Sequence, residues 1–92
     1  VRELIEKGFM ERALEELKFR AIFVLRLSDE VRKEFVGIAR TKSPSAAFDL
    51  ARIAAQVHGI TGMEALAVAK ATRWLAMIRR DHGGEIFEQV VA

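Results

Sequence analysis

The 92-residue sequence contains no cysteine, which excludes disulfides, zinc–thiolate sites and thiol nucleophiles. It lacks a basic start leading into an apolar core, so no secretory signal is expected. It also lacks an uncharged apolar run of the ~20 residues needed to span a bilayer. A cytoplasmic location and no membrane partner are therefore expected. The first residue is Val rather than Met, which points to a trimmed or processed chain. There is one proline, Pro44, and no internal repeat, low-complexity tract or long linker. A single domain over residues 1–92 follows at this length.

Signs of catalysis are equally scarce. No phosphate loop or dinucleotide fingerprint occurs, and no serine has an evident base beside it. His58 and His82 lie far apart, whereas a metal site needs three or four converging ligands. Both histidines suit helix C-termini, where the dipole favours a cation. Glu85 and Glu88 share a face, but paired carboxylates also need a pocket. The expectation is a protein that is not an enzyme and uses no metal or cofactor.

Apolar residues are plentiful, at 51% of the chain. That is a surplus for so small an interior, and a homodimer or higher oligomer would hide it. Charge is unevenly distributed. Residues 1–17 hold three basic and five acidic groups, net −2, and residues 18–58 hold eight and four, net +4. Residues 59–92 balance at four each. Between Leu17 and Ser28 there is no acid, while Lys18, Arg20 and Arg26 stand alone. Ten of the fifteen cations are arginine, the residue suited to forked contacts with phosphate and guanine.

Residues 2–17 read as an acidic amphipathic helix, with Ile5, Phe9, Ala13 and Leu17 in four-residue steps and Met10 and Leu14 beside them; Gly8 weakens it. "FRAIFVLRL", residues 19–27, is ambiguous. Its composition favours a strand, and alternation would place Phe19, Ala21, Phe23, Leu25 and Leu27 on one face. A helix fits too, since Leu14, Leu17, Ala21, Val24 and Leu25 follow a 3.6-residue period.

Beyond this point the punctuation is clear. Ser28 can cap a helix from Asp29 to about Arg40, with Asp29 and Glu30 in its first turn and Val31, Phe35 and Ile38 buried. Ser43 and Pro44 open a helix to about His58, with Ala47, Leu50, Ala51, Ala54 and Val57 on its apolar stripe. In "GITG", Gly59 can end that helix. Thr61 and Glu64 then form a capping box for a long helix to about Arg80. Met63, Ala67, Val68, Ala71, Trp74, Leu75 and Ile78 make its apolar sector, with Lys70, Arg73 and Arg80 opposite. Small residues at Ala47, Ala51, Ala55, Ala67 and Ala71 would allow close backbone approach. Gly83 and Gly84 precede a short helical tail, residues 85–91.

The middle of the chain, "IFVLRLSDEVRKEFVGIARTKSPSAAFDLARIAAQ", resembles the ribbon-helix-helix DNA-binding family of Arc-type repressors and related antitoxins. The match spans residues about 19–57. The resemblance implies a mainly α, homodimeric fold with one short strand and two core helices, here with an extra N-terminal helix and a long C-terminal one. The paired strands would enter the DNA major groove. The start of the second core helix would hold a phosphate at Ser43 and Ser45. By the same resemblance Arg20 and Arg26 would approach base edges, with Lys18, Arg40 and Lys42 on phosphates. The expected oligomer interface comprises Phe23, Leu25, Leu27, Phe35, Leu50 and Trp74. The sequence departs from the family in presenting Ile22 and Val24 on the outward strand face and in lacking glycine in the interhelix turn. The expected function is thus a small DNA-binding regulator or antitoxin. The alternative is an all-α bundle serving as a structural or assembly subunit, with residues 14–27 as a buried helix.

Overall fold

A computed structural model describes residues 2–92, with side chains from Glu11 onward. Six helices follow one another: α1 (Arg2–Arg20), α2 (Ile22–Leu25), α3 (Asp29–Thr41), α4 (Pro44–Val57), α5 (Gly62–His82) and α6 (Gly84–Val91). The fold is mainly α, and the described residues contain no strand.

The ribbon expected over residues 19–27 is therefore absent and the all-α alternative fits better, with residues 14–27 divided between two helices instead of forming one buried helix. Phe19 and Arg20 finish α1, the chain turns at Ala21, and residues 22–25 add one helical turn. Backbone amides here bond locally: Val24 and Leu25 donate to the Ala21 carbonyl, and Arg26 donates to Ile22, all at 3.0 Å. Burial follows the helical period rather than the alternating one. Ala21 and Val24 are fully buried, whereas Phe19 is 75% and Phe23 37% exposed. A strand would bury both phenylalanines and would leave its N–H and C=O groups to a second chain. The helix satisfies those groups within the segment.

The other boundaries follow their signals with small differences. α3 begins after Ser28 and α4 after Ser43, with Pro44 in its first turn. Neither serine, nor Thr61 before α5, makes a side-chain capping bond. The expected Thr61–Glu64 capping box is not formed, and the Glu64 carboxylate lies 3.9 Å from Arg26 instead. Gly59 has φ +73°, and the Ile60 amide reaches back to the Ala55 carbonyl at 2.9 Å. This is the six-to-one closure that a left-handed glycine permits after a helix.

The core forms where α4 packs on α5, with α3 across them and α2 and α6 against α5. Ala47, Ala51 and Ala55 of α4 are fully buried, as are Val68, Ala69, Leu75 and Ala76 of α5. Small side chains let the two backbones approach, and the larger Phe35, Ile78, Phe87 and Val90 fill the flanks. Thr72 is the buried polar residue, and its hydroxyl donates to the Val68 carbonyl at 2.9 Å. The His58 ring contacts the Glu34 carboxylate and lies 6.2 Å from the Phe35 ring, joining α4 to α3.

Three expected core positions lie elsewhere. Leu50, Val57 and Met63 are exposed: the buried positions of α4 are Ala47, Ala51, Ala54 and Ala55, and Met63 lies in the first turn of α5. The side chains of Ile5, Phe9 and Met10, part of the expected N-terminal stripe, lie outside the described residues.

Candidate nucleic-acid interface

The residues expected to contact DNA do not form one surface. Arg20, at the end of α1, places its guanidinium 4.8 Å from the centre of the Trp74 ring, and Lys18 is half-buried two residues earlier. Arg26 sits 4.6 Å from the Phe23 ring and 3.9 Å from Glu64. Arg40 is committed to Glu88 of α6 through two bonds, Nε–H at 2.8 Å and Nη2–H at 3.0 Å. The Glu88 hydrogen bond raises the Arg40 pKa further above its ordinary value, as a forked guanidinium–carboxylate pair should. Arg40 is thus occupied within the chain.

Lys42 and Ser43 form the turn between α3 and α4, and Ser45 follows in the first turn of α4. Arg79 of α5 fixes that turn. Its Nε–H donates to the Ala39 carbonyl at 3.1 Å, and its Nη2–H donates to the Lys42 carbonyl at 3.1 Å. Two orphan carbonyls at the end of α3 thereby gain charged donors.

The start of α4 is consequently held beside the outer face of α5. Ser43, Pro44, Ser45, Phe48, Asp49, Arg73 and Arg80 line a shallow depression of about 490 Å³. The Arg73 guanidinium lies 5.1 Å from the Phe48 ring centre, and Arg52 of α4 approaches the same ring at 6.0 Å. Arg80 bonds to neighbouring Asp81 at 2.9 Å. This bond raises the arginine pKa and lowers that of the aspartate. Among the described residues, Arg52, Lys70 and Arg73 lie in no salt bridge. The acids of this face are Asp49 and Asp81.

Lys70, Arg73 and Arg80 were readable as the polar side of α5. The sequence carried no sign that the α4 start lies beside Arg73 and Arg80, because Arg79 and the α4–α5 packing create that proximity. A guanidinium held by an aromatic ring, next to exposed serines and a helix N-terminus, suits the oxygens of a phosphodiester.

The proposed interface side chains divide between core and surface. Phe35 is buried within the protomer, and Leu25 and Leu27 are partly buried against the core. Trp74 is half-buried and donates its indole N–H to the Leu17 carbonyl at 3.0 Å. Phe23 and Leu50 remain exposed. Among the described residues, no cluster of three or more His, Cys, Asp or Glu could hold a metal ion, and no helix is long and apolar enough to cross a membrane. No family model, curated protein or solved structure matches the chain.

Proposed function

We propose that this chain is a non-enzymatic DNA-binding protein that contacts the phosphate backbone through the outer face of α4 and α5. The observation supporting it is Arg73, which lines the depression at the start of α4, together with Arg52 and Lys70 further along the same two helices; among the described residues none of the three lies in a salt bridge. Phosphate contacts position a protein on the duplex without reading sequence. The face thus supports backbone binding, and a regulatory role would need a base-reading element in addition.

Anisotropy titration of a labelled DNA duplex over a salt series tests this reading. The Lys70→Gln/Arg73→Gln double variant should bind roughly tenfold more weakly, and its salt slope should fall by about 2. Arg20→Gln/Arg26→Gln, the pair implied by a ribbon, should bind as the parent does. Parental binding by the α5 variant would remove the proposed face.

A second reading, an assembly subunit, rests on a separate observation. Leu50, Ile53 and Val57 occupy one stripe of α4 and are 37%, 60% and 77% exposed. Three large apolar side chains on one helix face mark an interaction surface, and a second copy of the chain would cover it.

A further inference from the structure

We propose that the cleft between α1, α5 and α6 binds a small amphipathic carboxylate, with its hydrocarbon body against Trp74 and its carboxylate on Arg20. The cleft measures about 390 Å³, within the range of small-ligand sites. Its walls are mostly apolar: Ala13, Leu14 and Leu17 of α1, Trp74 of α5 and Ile86 of α6. Glu16, Arg20 and His82 supply the polar groups.

Two features indicate a binding site rather than a packing gap. Trp74 is held by its N–H bond to the Leu17 carbonyl at 3.0 Å, and the Arg20 guanidinium lies over the ring, 4.8 Å from its centre. Glu16 and Arg20 stand four residues apart on α1, the spacing and order that favour a surface ion pair. Among the described residues they form none. The guanidinium lies over the indole at the edge of the apolar wall, and its N–H donors remain available to an anion. A ring face attracts a cation, and the planar fork of arginine suits a carboxylate. A ligand with one anionic end and an apolar body of about eight to ten carbons matches a volume of this size. This site is separate from the α4–α5 face and does not depend on its role.

Trp74 is the single tryptophan of the chain, so its fluorescence reports the cleft directly. Decanoate, titrated below its aggregation threshold, should shift the emission and saturate. Decanol should bind about tenfold more weakly because it lacks the charge-assisted bond. Arg20→Gln should cut decanoate affinity about tenfold and leave decanol unchanged. Glu16→Gln, which removes the one acid among the described residues of the cleft, should tighten decanoate binding. Ala13→Leu, at an exposed helical position that tolerates leucine, should fill the cleft and weaken both ligands. Equal binding of decanoate and decanol would overturn the proposal. So would unchanged affinity in Arg20→Gln, or a signal that appears only on decanoate aggregation.

Discussion

At the residue scale, the arginines do unlike jobs, and their surroundings decide which. Arg40 is tied to Glu88, Arg79 braces a turn, Arg20 lies on an indole and Arg73 on Phe48. Counting basic residues cannot separate these roles, because each depends on what the fold brings within reach. Arg79 provides the clearest test. Removing its two charged bonds leaves the Ala39 and Lys42 carbonyls without those donors, at a cost of about 2–3 kcal/mol. Arg79→Gln should lower the denaturation midpoint accordingly in a urea titration. Arg79→Lys should recover at most part of the loss, since an ammonium lacks the planar fork. Arg80→Gln, one residue on, should leave the urea midpoint at its parental value, since its partner Asp81 is an exposed neighbour.

At the element scale, the helix boundaries from Ser28 onward were legible because local chemistry sets them. Pro44 at the start of α4 and the left-handed Gly59 after it act within a few residues of themselves, whatever packs nearby, whereas Ser28, Ser43 and Thr61 mark helix starts without a side-chain capping bond. Residues 19–27 were not legible in that way. Their β-branched and aromatic content is compatible with a strand, but strand preference is largely a preference for a packed sheet surface. No sheet forms among the described residues, so the 3.6-residue spacing of Leu17, Ala21 and Val24 against the core decides the outcome. The candidate site divides along the same line. The cations of α5 could be read from spacing, but the proximity of Arg73 and Arg80 to Ser43 and Ser45 is a product of tertiary packing. Mutational cost distinguishes the two conformations. Val24→Ala removes a fully buried side chain and should cost about 2 kcal/mol. Phe19→Ala should cost no more than about 0.5 kcal/mol, since the ring is mostly in water. A ribbon would reverse that order, which thermal or urea unfolding of the two variants would reveal.

At the scale of the whole molecule, the chain has a radius of gyration of 13.8 Å and measures 49 × 21 × 21 Å. A compact chain of this length is expected near 12 Å, so the molecule is elongated and exposes more surface per residue than a sphere would. This shape explains how so apolar a sequence still leaves Phe19, Ile53, Val57 and Met63 in solvent. On α4, Leu50, Ile53 and Val57 form one stripe, and Phe48 and Arg52 point to another sector of the helix. A pairing of two copies through the apolar stripe would therefore leave both basic faces free. Such a dimer would engage one duplex with two phosphate-binding faces, and linkage would raise affinity without any new contact to DNA. Ile53→Asp tests that arrangement, because it places a charge on the stripe and leaves every cation of the basic face in place. Sedimentation equilibrium should show the parent as a dimer or larger and the variant as a monomer. The variant should also bind DNA at least tenfold more weakly, with about half the parental salt slope, because only one face engages each duplex. An unchanged mass would assign the stripe some other partner. A monomeric variant with parental DNA affinity would show that one basic face suffices.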